Sequence, residues 1–138
     1  MSKPRSVLFV CLHGAAKSVL AAADFKKLAA ERGLTVTAEA AGTEPDPAIA
    51  PGVVATLRAE GVELGQARPR RVTAADTARA HRVVTFGCEL GDATPAAVPV
   101  DRWDDVPAVS ENLPLARAAI RRHLDRLLDE CAAQGTRR

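Results

Sequence analysis

At 138 residues and a net charge of +2, the chain is expected to form a single domain, 1–138, around one pocket, with too little charge for a nucleic-acid partner. No stretch approaches the ~20 apolar residues of a membrane span, and the apolar run after Lys3 and Arg5 ends by Leu12, too early for a signal-peptide core. No membrane partner and a cytoplasmic location are therefore expected, and three widely spaced cysteines suit a reducing compartment better than a disulfide scaffold.

The first element is Val7 to Leu12, a continuous apolar run that reads as a fully buried strand. After Ser18 a helix is expected, with Ala21, Phe25, Leu28 and Ala29 on one face and Lys26, Lys27, Glu31 and Arg32 elsewhere, stopped by Gly33. Thr35 to Ala41 has strand chemistry, and the Gly and Pro content of Ala41 to Pro47 marks a loop. A second helix is expected over Ala50 to Glu60, with Pro51 in its first turn and Gly61 beyond its end. Arg68-Pro69-Arg70-Arg71 reads as solvated loop charge, and Arg137-Arg138 as a frayed end.

Further on, Ala74 to Ala80 is a short helix, Arg82 to Phe86 a strand with Gly87-Cys88 at its tip, and Val98 to Trp103 a weaker strand. From Asn112 as N-cap to about Ala132 runs a helix whose stripe is Ala116, Ile120, Leu124, Leu127 and Cys131; Cys131 is thereby assigned to packing. Strands alternating with helices imply an α/β fold, a parallel sheet covered on both faces. Aromatic residues are 3% with no Tyr, so the core is expected to rest on Ala, Val and Leu. The Ala- and Arg-rich usage suggests a GC-rich bacterial source.

The chemistry-bearing segment is Cys11-Leu12-His13-Gly14-Ala15-Ala16-Lys17-Ser18, set between a strand and a helix. In such a turn the backbone N–H groups converge on an oxyanion, and the positive end of the helix favours a thiolate. The competing reading of Cys11 is a small hydrophobe at a strand end. Cys88, at the end of another strand, is expected at the same sheet edge, again with inert burial as the alternative. His13 reads as exposed, and His81 and His123 lack partners at ligand spacing, so no metal site is expected.

The run from Cys11 to Ser18 resembles the signature loop of the low-molecular-weight protein tyrosine phosphatases and of the arsenate reductases built on the same fold. In those families the cysteine is followed after five residues by Arg-Ser. Here Lys17 stands in place of the arginine, a compact charge where a bidentate fork is usual, and Gly14 stands where the reductases usually have Asn. Ala41-Gly42-Thr43-Glu44-Pro45, Gly61-Val62-Glu63-Leu64 and Val83-Val84-Thr85-Phe86-Gly87-Cys88 are similar to reductase segments, whereas the phosphatases' Asp-Pro followed by aromatics is absent.

The resemblance implies a four-stranded parallel sheet with helices on both faces and thiol-dependent reduction of arsenate. It implies that Cys11 is the nucleophile and Cys88 the resolving thiol. The oxyanion cradle would be Leu12, His13, Gly14, Ala15, Ala16, Lys17 and Ser18, with Asp105 as general acid, raised in pKa by burial, and Asp104 in reserve; the competing reading of the two aspartates is a surface turn of solvated carboxylates. Thr94 stands where thioredoxin-coupled members have a third cysteine, so the disulfide is reduced directly or an external thiol such as mycothiol replaces one step. No bound cofactor is implied, only an external thiol reductant, thioredoxin, mycothiol or similar. The substrate would be a small oxyanion, arsenate or a phosphate ester. Gly14 and Ala22 fall where some members bind a monovalent cation, which removes that site. Two alternatives remain: phosphate-monoester hydrolysis through a cysteinyl-phosphate, and, given Lys17, a noncatalytic oxyanion- or partner-binding role.

Overall fold

A computed structural model describes residues 5–136. The expectations for Lys3 and for Arg137-Arg138 lie outside the described residues. In chain order the elements are β1 (Ser6–Cys11), α1 (Lys17–Glu31), β2 (Thr37–Gly42), α2 (Pro51–Ala59), α3 (Ala74–Arg79), β3 (Arg82–Thr85), a 3-10 turn (Gly91–Ala93), β4 (Val100–Arg102) and α4 (Leu113–Thr136). The strands form one all-parallel sheet in the order β2-β1-β3-β4.

This is the α/β architecture expected, with helices on both faces, and the boundaries follow local chemistry. Asn112 caps α4 as anticipated, its Oδ1 accepting from Leu115 N–H at 2.9 Å. Thr73 and Asp76 form a reciprocal capping box at the start of α3. The final strand is shorter than its sequence suggested, three residues with a half-exposed pattern, as suits a sheet edge.

Alternation along β1 divides the interior. Val7, Phe9 and Cys11 face the larger core with α1, α2 and α4, whereas Leu8 and Val10 face a smaller one with Val72, Val83, Cys88 and Ala93. The expectation of an Ala, Val and Leu core needs correction on the larger side. All of the chain's Phe and Trp residues are buried there, with Phe9 central: its ring lies 5.8 Å from Phe25, 6.4 Å from Phe86 and 5.9 Å from Trp103. A low aromatic fraction did not mean a marginal aromatic role, because the few rings sit at the core-facing positions of β1, α1 and the ends of β3 and β4.

Two ion clusters anticipated by no periodicity stitch the helices down. Arg117 of α4 is buried and reaches Asp24 of α1 at 2.7 and 3.0 Å and Glu60, just past α2, at 2.7 Å. Arg121 adds a contact to the buried Asp24 at 3.2 Å. Hydrogen bonds to Asp24 and Glu60 hold Arg117 above the ordinary guanidinium pKa, and the same bond holds Glu60 below the usual carboxylate range. On the other face, Arg70 pairs with buried Asp76 and with Glu39, each at 2.7 Å, so this arginine is not the solvated loop charge expected.

Candidate active site

The turn from β1 to α1 is shaped by where its carbonyls go. The carbonyls of Cys11, Leu12, His13 and Ala15 accept from the N–H groups of Thr43, Glu44, Asp46 and Ala50, at 3.2, 2.7, 3.1 and 3.0 Å. These bonds tie the turn to the segment between β2 and α2 and aim the carbonyls outward. The opposing N–H groups are left free: among the described residues, none from His13 to Val19 donates a hydrogen bond within the protein. Consecutive unpaired N–H groups that run into the first turn of a fifteen-residue helix are donors available to an anion.

Two glycines make that shape possible. Gly14 has φ +60, in the left-handed region, and a Cβ there would lie 2.8 Å from the backbone nitrogen of Gly42. A Cβ on Gly42 would in turn lie 2.6 Å from the nitrogen of Gly14. The two backbones meet face to face, and neither can yield. Gly42 was read from sequence only as loop punctuation; glycine at the last position of a strand was the available signal of close approach.

Cys11 is buried at the end of β1, its Sγ donating to Oγ of the fully buried Ser18 at 3.1 Å. Lys17 opens α1 and makes no ion pair among the described residues. His13 is exposed, 3.2 Å from Asp46. Of the loop residues assigned from sequence, Ser18 is brought against the Cys11 thiol, and the others lie in the chain between the two.

Cys88 reaches the same edge of the sheet from β3, which runs beside β1 with Val10 opposite Thr85. Its thiol is 3.6 Å from the Val10 carbonyl, one residue before Cys11, yet it packs into the smaller core, on the opposite face from Cys11. Burial pushes the Cys88 thiol up from the ordinary cysteine pKa, and the nearby Cys11 adds to the rise. Both cysteines are free. Thr94 closes the 3-10 turn, donating to the Gly91 carbonyl at 2.7 Å.

The carboxylates after β4 differ from expectation. Asp105 is exposed and bonded at 2.7 Å to Nε2 of His123, a residue sequence reasoning left without a partner. That hydrogen bond lowers the Asp105 pKa, so the expected rise through burial is corrected. The physical reason is chain direction: Val106 takes the buried position, turning Asp105 toward α4. His123 itself stacks on Trp103, 4.6 Å between ring centroids. Asp104 stays at the sheet edge, accepting from Gly87 N–H at 3.1 Å and from Arg102 Nε at 3.2 Å. Among the described residues no cluster of His, Cys, Asp and Glu could hold a metal ion, and no helix is long and apolar enough to cross a membrane.

Comparison with known proteins adds the family. Among solved structures, a thioredoxin-dependent arsenate reductase of Corynebacterium glutamicum is 28% identical with a TM-score of 0.70; the match covers 91% of this chain and 63% of that one. The chain therefore spans less than two thirds of that relative. An arsenate reductase of Archaeoglobus fulgidus is also 28% identical, TM-score 0.69, over 90% of this chain and 99% of the other. A low molecular weight phosphotyrosine phosphatase of Vibrio cholerae shares the fold at TM-score 0.81 and 19% identity, over 94% and 98% of the two chains. No curated protein matches. The model of the low molecular weight phosphotyrosine protein phosphatase family matches residues 6–102, and the chain belongs to that family.

Proposed function

We propose that the protein is a thiol-dependent arsenate reductase whose nucleophile is Cys11. The observation that carries this reading is the set of outward-bonded carbonyls, which leaves the N–H groups after Cys11 free to surround a tetrahedral oxyanion beside its sulfur. Lys17 supplies charge to the cradle, and Ser18 holds the thiol from behind. Similarity to two arsenate reductases at 28% identity supports arsenate over a phosphate ester.

In the proposed reaction the Cys11 sulfur bonds to arsenic and one arsenate oxygen leaves as water. The Cys88 sulfur then attacks the Cys11 sulfur; the arsenic–sulfur bond breaks, its electron pair stays with arsenic, and arsenite departs. Two thiols have become one disulfide and arsenic(V) has become arsenic(III), with the two thiol hydrogens accounted for in the water. This balance does not require Asp105, whose carboxylate is engaged by His123. An external dithiol of the thioredoxin class, or a small thiol such as mycothiol, restores the enzyme.

One observation favours a second reading, hydrolysis of phosphate monoesters: the two thiols lie on opposite faces of the sheet, and hydrolysis needs Cys11 and a general acid but not Cys88. The test measures arsenite formed from arsenate with thioredoxin or mycothiol, beside release of phenol from an aryl phosphate. Reduction lost in both Cys11→Ser and Cys88→Ser is the expected result. Hydrolysis lost only in Cys11→Ser selects the phosphatase. Neither activity, with phosphate or arsenate still bound in calorimetry, selects an oxyanion-binding protein.

A further inference from the structure

The turn that carries Cys88 has few restraints of its own. Phe86 N–H makes the last backbone bond to β1, donating to the Val10 carbonyl at 3.0 Å; Gly87 follows at φ +70, and beyond it only the Cys88 thiol reaches the same carbonyl, at 3.6 Å. Among the described residues no backbone–backbone bond holds residues 87–89; the next in the chain is Ala93 N–H to the Leu90 carbonyl at 2.9 Å. The turn is fastened instead from β4. Oδ1 of Asp104 accepts from Gly87 N–H, while Arg102 donates through Nε to Asp104 at 3.2 Å and through Nη2 to Glu89 at 3.4 Å. Glu89 is 84% exposed, so its bond to Arg102 is the weaker strap, and Asp104 is the main one.

What the strap does follows from the two faces. With the turn fastened, the Cys88 thiol lies with Val10, Val72 and Ala93, and Cys11 lies with Phe9 and Val19. A disulfide needs the two Cβ atoms about 3.5–4.5 Å apart and pointing at each other, so the turn must leave its fastened position before the sulfurs can pair. We propose that Asp104 is a positioning residue, a latch that with Arg102 pins the Gly87–Glu89 turn so that the second thiol stays on the far face of the sheet until the turn is released. The latch deepens the reductase reading and rests on it. It also gives Asp104 a role that needs no proton transfer.

The role separates cleanly from general acid catalysis by substitution. Asn at 104 keeps an acceptor for Gly87 N–H but cannot donate an acidic proton; Ala keeps neither. The experiment follows alkylation of each cysteine by mass spectrometry in the reduced protein, with Cys131, buried in α4, as the internal monitor of global opening. Asp104→Ala should speed labelling of Cys88 by about ten-fold relative to Cys131, the effect of losing one hydrogen bond to a charged group. Asp104→Asn should stay within a few-fold of the parent, and Arg102→Ala should fall between.

Diamide oxidation read by peptide mapping then asks whether the freed thiol pairs with Cys11. Faster Cys11–Cys88 pairing in Asp104→Ala than in the parent supports the latch. Cys88 labelling in Asp104→Ala that keeps step with Cys131 overturns it, as does Asp104→Asn behaving like Asp104→Ala. Accelerated labelling without any Cys11–Cys88 disulfide in either protein supports the latch as a restraint and overturns the reductase reading, so the two failures are distinguishable.

Discussion

The two faces of the sheet hold their cysteines with unequal means. On the side of Cys11, three helices, the whole aromatic cluster and the buried Arg117 bridge stand behind one strand end. On the side of Cys88, a six-residue helix and a single 3-10 turn cover seven buried side chains. On the proposed reductase reading, the difference suits the role given to each thiol. An oxyanion cradle loses its purpose if its donors wander, so it rests on the heavily packed side. A second thiol that must travel is better kept where opening disturbs few contacts.

The comparison can be broken most severely from the packed side. Arg117→Met should cost about 3–5 kcal/mol of unfolding free energy, because Asp24 is left buried without its main partner. Urea denaturation measures this. Adding Asp24→Asn to the same protein should recover a good part of the loss; no recovery would mean that packing around Arg117, not its charge, holds α1 to α4.

Lys17→Arg sharpens the comparison at the cradle itself. The fork restores two-point contact with the equatorial oxygens, and turnover should rise by up to ~10²-fold, the scale on which a charged donor contributes to such sites. Steady-state kinetics with arsenate or an aryl phosphate gives the answer. A fall in rate would show that the packed loop has been fitted around the ammonium.

Acid should act first on the thin side. Burial alone would raise the Asp76 pKa, but hydrogen bonds from Arg70 and Thr73 outweigh it and bring it down from 3.8 to about 2. A carboxylate whose folded pKa is depressed contributes its stability above the unfolded value and loses it as pH falls toward the folded one. About 2 kcal/mol should therefore disappear between pH ~4 and pH ~2, and Asp76→Asn should flatten that part of the stability curve. Hydrogen exchange should show α3 opening before α4 in that window; the reverse order would contradict the assignment of the weaker face.

Much of the fold was legible because its strands are unambiguous runs. Val7 to Val10 and Val83 to Thr85 could hardly be anything but buried parallel strands, and the stripe from Ala116 to Cys131 is fully buried as expected. The loop after Cys11 was legible for the same reason, being pinned between two such elements. What stayed hidden depends on partners distant in sequence. Asp24 and Arg117 are 93 residues apart, and each looks like ordinary helix surface until its neighbour is known. His123 and Asp105 look partnerless singly and are bonded in space. The burial of Asp105 was not legible because one buried valine decides which way two adjacent aspartates turn.

The contact of Gly14 with Gly42 limits what can be moved from this protein to another. The eight residues from Cys11 to Ser18 do not contain their own shape; it is pressed into them by a neighbouring strand whose last residue has no side chain. Grafted onto a strand–helix junction elsewhere, the same octapeptide would relax and its donors would scatter. A library that varies the loop must hold Gly42 constant although it lies 28 positions from Gly14, and a screen of the loop alone would assign to local sequence a tolerance that belongs to the pair.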